Sequence, residues 1–368
     1  MPLGNDYLIE ARKNKNDEFY TRYEDVESEV MKFKEKFENK TVYCPCDTSD
    51  SNFVKFFIDN FETLKIKKLM YGSDVANVVE YVNGLLLDTD TLPPIERYVI
   101  KSYYGMYGGE IPAVNIAKSL NCDIEFINTI IDDFNSRNKL LLHIDHDYTS
   151  DIASPVFLEL LNECDIVVTN PPFSLFVSFL KNIIDKKKDF LIVGQQNTIS
   201  CKSVFESIVN GQVKIDYGFK GIAGWFYTPE HYKDIATAGE HIDGMIRVSG
   251  VVWYTSFDCY NERPFIKLKQ SYYNEDGTPN NEKYRFFDNF RTISGLEEDC
   301  INVGKVKDIP NDYYGYMGVP ISFFGKYNPK QFELIQLDHY GPLGNQDNVV
   351  DGKMTYRRIY VRLRKRDE

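Results

Sequence analysis

The sequence lacks the features that would indicate a membrane or secreted protein. It contains no run of eighteen apolar residues, so we expect no membrane-spanning helix. The first fifteen residues lack the apolar core of a signal peptide, which predicts a cytoplasmic protein. Its seven cysteines are an odd number without a secretory signal, so we expect reduced thiols. No second Cys or His pair accompanies Cys44 and Cys46 at zinc-finger spacing, and we assign no metal.

Positive charge is also scarce, since the formal net charge is −12. This balance works against nucleic-acid binding, because Lys and Arg neutralise the phosphates that supply most non-specific affinity. One stretch differs: residues 353–366 hold seven basic residues and no acidic one. The stretch alternates like a strand, and two interpretations are open. It could place several cations beside a duplex, or it could be a solvated C-terminal edge strand whose charges prevent aggregation.

Glycine is missing from the first predicted turn between a strand and a helix. Residues 40–44 are typical of a strand and residues 51–58 of the following helix, and no glycine stands between them. Dinucleotide-binding folds place glycines at this turn so that the backbone can approach the pyrophosphate. The sequence therefore excludes a standard dinucleotide fingerprint.

The sequence does contain a short buried strand that ends in a rigid turn. Residues 165–169 read Asp-Ile-Val-Val-Thr and are followed by Asn170, Pro171, Pro172 and Phe173. The two prolines prevent the strand from continuing. Apolar residues at positions 176, 179, 180, 183 and 184 then form one face of a helix. In open α/β sheets, ligands bind at this edge between strand and helix.

The Asn-Pro-Pro-Phe turn suits the chemistry of an amino group on a planar base. Such a nitrogen is a poor nucleophile, because its lone pair is delocalised into the ring. The side-chain oxygen of Asn170 and the main-chain carbonyl of Pro171 can accept both of its N–H bonds, and Phe173 can stack on the base. The alternative is a strand that simply ends in a proline-rich turn, since a motif of four residues also occurs by chance.

Several segments in a fixed order resemble one family. They are residues 16–21, 42–47 with 51–53, 145–150, 165–176, 307–310, 317–321 and 332–335. In these segments the chain resembles the amino-methyltransferases that use S-adenosylmethionine (SAM) and carry (D/N)PP(F/Y). More closely, it is similar to the EcoRI-type adenine-specific DNA methyltransferases. The resemblance covers most of the chain except residues 84–140.

The resemblance implies a set of site residues. Asn170, Pro171, Pro172 and Phe173 would be catalytic, and the remaining candidates would bind SAM: Phe19, Tyr20, Thr21, Cys44, Cys46, Asp47, Asp145 and Asp147. On physical grounds alone, Thr21 could instead be a helix N-cap. Asp47 could serve only its turn, and the two cysteines could be small residues that fill a tight strand end.

The pattern also predicts an α/β fold with three regions. Strands alternate with helices from residue 40 to 210, which favours a doubly wound, mostly parallel sheet of the Rossmann-like class I methyltransferase type. We expect a SAM-binding core at 16–83 and 139–214, a helical, helix-turn-helix-like insertion at 84–138, and a β-rich target-recognition region with the basic segment at 215–368. Because the insertion is acidic, we favour a structural or protein-contacting role for it over DNA contact.

We therefore expect a site-specific DNA methyltransferase that acts on adenine N6. The target adenine must be flipped out of double-stranded DNA into the pocket. In restriction-modification, a cognate endonuclease would act on the same site without stable association. Two alternatives remain open: another NPPF-type methyltransferase acting on guanine in RNA or glutamine in protein, and a non-catalytic DNA-binding regulator.

Overall fold

The structure, a computed structural model, describes ten segments of the chain. These are residues 20–47, 51–71, 79–81, 93–103, 111–138, 155–219, 223–227, 245–261, 263–338 and 348–365. The predicted site residues Phe19, Asp145 and Asp147 lie outside them. The chain divides into two compact units, one of residues 26–170 and one of residues 1–25 with 171–368.

The fold contains both helices and strands. The described helices are α1 (Tyr23–Val30), α2 (Asn52–Asp59), α3 (Pro94–Tyr103), α4 (Ala113–Leu120), α5 (Ile124–Asn138), α6 (Pro155–Glu163), α7 (Phe176–Asp185), α8 (Lys202–Val209) and α9 (Phe290–Ser294). Among these described helices none is long and apolar enough to cross a membrane.

The strands lie in several sheets. They are β1 (Tyr20–Thr21), β2 (Thr41–Cys44), β3 (Lys68–Tyr71), β4 (Val79–Tyr81), β5 (Ile166–Thr169), β6 (Asp189–Gln195), β7 (Lys214–Asp216), β8 (Ala223–Tyr227), β9 (Met245–Ser249), β10 (Val251–Thr255), β11 (Cys300–Asn302), β12 (Tyr316–Pro320), β13 (Phe332–Leu337), β14 (Val349–Val350), β15 (Lys353–Met354) and β16 (Arg358–Leu363).

In the unit of residues 26–170, four strands are arranged in the order β4-β3-β2-β5. β2 is parallel to both β3 and β5, whereas β4 is antiparallel to β3. β2 and β5 are completely buried, as their β-branched and apolar residues require. At their amino ends, Thr41 N donates to the carboxylate of Asp165 and Asp165 N donates to the carbonyl of Thr41, each at 2.8 Å. These bonds set the register, so both strands end at the same edge.

The same unit contains the predicted helical insertion. α3, α4 and α5 enclose an apolar cluster of their own, which includes Val99, Ile116 and Ile127. Asn121 ends α4 in the left-handed conformation, at φ 50° and ψ 47°, which asparagine tolerates better than most residues. The helix-turn-helix-like pattern in the sequence therefore folds as three helices around a small core.

In the other unit, β6, β10 and β7 form consecutive antiparallel pairs. β10 is buried along its full length, which is typical of a strand with neighbours on both sides. The sequence prediction ended the alternating sheet near residue 210, yet β10 lies between β6 and β7. The coarser prediction of an α/β fold is confirmed, but the sheets are mixed rather than mostly parallel.

A four-stranded sheet in the order β11-β12-β16-β13 follows in the C-terminal part of this unit. Of the two interpretations left open for residues 353–366, the solvated edge strand is wrong for residues 358–363, because β16 pairs with β12 on one side and β13 on the other. Ile359, Tyr360 and Val361 are all fully buried. The sequence suggested that buried and exposed side chains alternate along this strand. They do not, because both faces of β16 are covered.

Arg263 joins this sheet to the β6-β10-β7 strands. Its guanidinium donates to the carbonyls of Phe324 (2.7 Å), Tyr327 (3.2 Å) and Ile215 (3.0 Å). The same group lies 4.8 Å from the ring centroid of Tyr260. A planar guanidinium has five donors in a fixed fork, which suits it to bridge several carbonyls at once.

Phe176 fixes the start of α7, the helix that follows the Asn-Pro-Pro-Phe turn. Its ring is buried against Gly194 of β6, where a Cβ would lie only 2.3 Å from a ring atom. The ring also packs on Tyr254 of β10, with the centroids 4.6 Å apart. Gly194 is therefore required by the close approach of Phe176.

We expect Gly194→Ala to lower the free energy of unfolding by about 1–3 kcal/mol, because the added methyl group forces a buried ring to move. Gly304→Ala is the matched control, since a Cβ at Gly304 would meet no atom within 4 Å. Urea denaturation of both variants measures the difference. Equal stability of the two would show that Phe176 can move aside without cost.

Candidate active site

The Asn-Pro-Pro-Phe turn begins where β5 ends. Asn170 is half-buried and Pro171 is buried. The carbonyl of Pro172 accepts from Leu175 N at 3.0 Å, and the carbonyl of Phe173 accepts from Phe176 N at 3.4 Å. These two bonds turn the chain into α7 without using the carbonyl of Pro171. The side chain of Asn170 and the carbonyl of Pro171 thus stand at adjacent positions of a rigid turn.

Asp47 links the end of β2 to the end of β5. Its carboxylate is buried and accepts a hydrogen bond from Oγ1 of Thr169 at 2.5 Å. Burial raises the pKa of Asp47 to about 7, and hydrogen bonds from Thr169 and Ser51 oppose this shift. Because Thr169 directly precedes Asn170, the bond also holds the backbone from which the catalytic candidate extends.

The sequence did not identify Thr169 as part of the site. It stands 122 residues from Asp47 in the chain, and no local pattern connects the two. The sequence offered one indication: Thr169 carries a hydroxyl group at the end of an otherwise apolar buried strand. A buried hydroxyl needs a partner, and the parallel register of β2 and β5 supplies the turn that contains Asp47.

The two cysteines of the same turn differ in exposure. Cys44 is buried at the end of β2 and Cys46 is half-buried. Burial raises the pKa of the Cys44 thiol well above its ordinary value, so the group stays protonated and behaves as a small apolar residue. Ser51 accepts a hydrogen bond from Val54 N at 3.2 Å and so caps α2 after the turn.

Tyr20 and Thr21 belong to the unit that contains residues 171–368. They form β1, which is antiparallel to β8 and places Thr21 opposite Phe226. Thr21 is buried and Tyr20 is exposed. α1 begins at Tyr23, so Thr21 is a strand residue two positions before the helix.

The residues of the β2 turn meet the chemical requirements for a nucleoside-like, positively charged cofactor. Asp47 is a buried acceptor at the carboxyl edge of parallel strands, where such sheets bind ligands. A cationic or hydrogen-bond-donating group beside it would offset the cost of ionising a buried carboxylate. The buried acceptor Asp47 therefore fits SAM, which carries a sulfonium, an ammonium and ribose hydroxyls.

The pKa of Asp47 predicts a dependence of stability on pH. The folded protein retains the Asp47 proton up to about pH 7, whereas the ordinary value is 3.8. The folded state thus binds more protons between these values, and its free energy of unfolding falls as the pH rises. Asp47→Asn has no such proton to lose. Between pH 5 and pH 8 the unsubstituted protein should therefore lose stability that Asp47→Asn keeps. We expect the free energy of unfolding of Asp47→Asn, relative to that of the unsubstituted protein, to rise over this range by on the order of a few kcal/mol.

Urea denaturation across this pH range provides the measurement. Asp276→Asn serves as the control: Asp276 is exposed, and hydrogen bonds with Thr278 lower its pKa, so its contribution stays constant above pH 5. If Asp47→Asn and the unsubstituted protein kept parallel pH profiles, Asp47 would titrate as an ordinary exposed carboxylate.

A buried strand that ends in Asn-Pro-Pro-Phe, within a mixed α/β fold, is typical of the amino-methyltransferase class. A family model described as "Adenine-specific methyltransferase EcoRI" matches residues 7–366. Type II methyltransferase M.EcoRI of Escherichia coli is 33% identical over 364 residues, which cover 97% of this chain and 96% of that protein.

Two mycoplasma proteins are also similar. Type II methyltransferase M.MgeORF184P of Mycoplasma genitalium is 29% identical over 96% of this chain and 97% of its own length. Type II methyltransferase M.MpnI of Mycoplasma pneumoniae is 29% identical over 97% of this chain and 98% of its own length. No solved structure matches the chain. The chain therefore belongs to the EcoRI family of adenine-specific methyltransferases, and the resemblance stated from the ordered segments is confirmed.

Proposed function

We propose that the protein methylates adenine N6 in double-stranded DNA at a specific site, with SAM as the methyl donor. The observation that carries this proposal is the Asn170–Phe173 turn at the end of buried strand β5, in a chain of the adenine-specific EcoRI family. The relatives are named Type II methyltransferases. That name supports a role in restriction-modification, with a cognate endonuclease that acts on the same site without stable association.

Catalysis rests on positioning rather than on a strong base. The side-chain oxygen of Asn170 and the carbonyl of Pro171 accept the two N–H bonds of N6, which directs the nitrogen lone pair toward the incoming methyl group. Pro172 restrains the turn and Phe173 stacks on the adenine ring. The leaving proton becomes acidic only as the new bond forms. The transfer is a direct displacement and requires no covalent intermediate with the enzyme.

The target adenine reaches this turn only after it leaves the duplex. Flipping a base costs about a few kcal/mol, which stacking and polar contacts in the pocket offset. The half-buried position of Phe173 suits this role, because one ring face can meet a planar base while the residue stays packed.

The proposed cofactor-binding residues lie in two parts of the sequence. They are Cys44, Cys46 and Asp47 in the turn after β2, and Tyr20 and Thr21 in β1. Phe19, Asp145 and Asp147, which lie outside the described residues, complete the proposed set. When bound, SAM supplies an electrophilic methyl group on a sulfonium. The buried carboxylate of Asp47 would orient a donor group of the cofactor.

The finer architecture belongs to the same proposal. Residues 16–83 and 139–214 would form a Rossmann-like core, residues 84–138 an insertion, and residues 215–368 the target-recognition region. The parallel pairing of β2 with β3 and β5, with the motif at the carboxyl end of β5, supports such a core. The separate apolar cluster of α3, α4 and α5 supports the insertion.

Asn170→Ala tests the catalytic assignment. We expect methyl transfer to fall by on the order of 10²-fold or more, since one of two acceptors for N6 is lost, while calorimetry shows unchanged SAM affinity. Asn170→Asp is the matched control, because it keeps an acceptor oxygen at the same position and should retain more transfer than the alanine variant. An alanine variant with full turnover would contradict the role of Asn170.

The substrate is tested with radiolabelled SAM and unmethylated duplex DNA, followed by digestion to nucleosides. We expect the label in N6-methyldeoxyadenosine. Label in RNA guanine or in protein glutamine, with none in DNA, would overturn the substrate and leave the methyltransferase class intact.

A further inference from the structure

The arm that leads out of the β14-β15 hairpin exposes two large apolar side chains. We use the term hairpin arm for residues 353–357. Tyr356 is 89% exposed and Met354 is 75% exposed, whereas the next large apolar side chain among the described residues, Ile95, is 55% exposed. Single exposed apolar residues are ordinary, but two together at such exposure indicate a contact surface.

The exposure follows from the geometry of the arm. Thr355 N donates to the carbonyl of Asn348 at 2.8 Å, which turns Thr355 toward the hairpin. Met354 and Tyr356 are both exposed, whereas Thr355 between them is half-buried.

The hairpin is held firmly. Asp288 accepts from Gly352 N at 2.8 Å and from Asp351 N at 3.3 Å, and Asn289 Oδ1 accepts from Val349 N at 3.0 Å. Asp351 and Gly352 both have positive φ, at 50° and 74°, as the tight turn of a two-residue hairpin requires. The arm is thus presented by a rigid frame, so that little conformational entropy would be lost when it binds a partner.

The charge around the arm is positive. Lys353 and Arg357 flank the two apolar residues, and residues 353–366 contain no acid. Of the acids that the structure describes beside the arm, Asp288 accepts from backbone amides, and Asp351 lies 3.6 Å from Arg285. Apolar and aromatic groups between cations match a polyanion with flat bases and sugars between its phosphates.

We propose that the hairpin arm is a DNA-contacting element: Tyr356 and Met354 enter a groove of the duplex that carries the target adenine, and Lys353 and Arg357 bind the flanking phosphates. The proposal rests on the proposed function for the identity of the duplex. It assigns a specific contact to a protein whose overall charge of −12 opposes DNA binding.

Tyr356→Ala and a Lys353→Gln, Arg357→Gln double variant separate the two kinds of contact. With radiolabelled SAM and unmethylated plasmid DNA, we expect Tyr356→Ala to raise the KM for DNA roughly tenfold, as loss of one aromatic contact does. The double variant should raise KM and also reduce the salt dependence of binding by about two counterions. SAM affinity should not change in either. Tyr98→Ala, which changes an exposed tyrosine of helix α3 in the insertion, is the control and should leave KM unaltered.

Tyr356→Trp gives a readout that does not require catalysis. Plasmid DNA should quench the fluorescence of this variant, while the fluorescence of Tyr98→Trp should not change. The proposal is overturned if KM for DNA stays within twofold in Tyr356→Ala and DNA leaves the Tyr356→Trp signal unchanged. It is also overturned if sedimentation shows that Tyr356→Ala dissociates a dimer without any effect on DNA. A protein that bound DNA through the arm but methylated none would instead count against the proposed function alone.

Discussion

The hydrogen bond between Asp47 and Thr169 is the constraint on which the catalytic candidate depends. It ties the turn after β2 to the last residue of β5, across 122 residues of chain. The carboxylate is buried, and burial raises its pKa to about 7. A buried acid at that position costs stability, and its hydrogen bond to Thr169 explains its presence. Thr169 precedes Asn170, so the bond also restrains the backbone of the residue that we propose to position the target adenine.

The residues after the turn are restrained by packing instead. The prolines limit the backbone, and Phe176 lies so close to β6 that only glycine fits at position 194. Tyr254 also packs against this ring and donates to the carbonyl of Gln195 at 2.7 Å. The hydrogen bond between Asp47 and Thr169 restrains the chain just before the Asn-Pro-Pro-Phe turn. The packing of Phe176 restrains the chain just after it.

The distribution of charge explains how an acidic chain can act on DNA. Many cations of the basic C-terminal segment serve the fold: Arg362 pairs with Glu333 at 2.8 Å, and Arg358 is buried. Burial lowers the pKa of Arg358, and the nearby carboxylate of Asp338 opposes this shift. Counting basic residues in the sequence therefore overstates the charge available to phosphates. The exposed hairpin arm is where we propose that this segment meets a duplex.

The sequence by itself determined the family, the position of the Asn-Pro-Pro-Phe turn and most of the helices and strands before residue 210, because these depend on local periodicity, on proline and on ordered segments. It also indicated Asp47, although without its partner. Only the tertiary structure decided that Thr169 binds Asp47, that β10 lies between β6 and β7, and that β16 is a buried central strand. Those features depend on pairing between residues far apart in the chain, and alternation within one segment cannot show how many neighbours a strand will have.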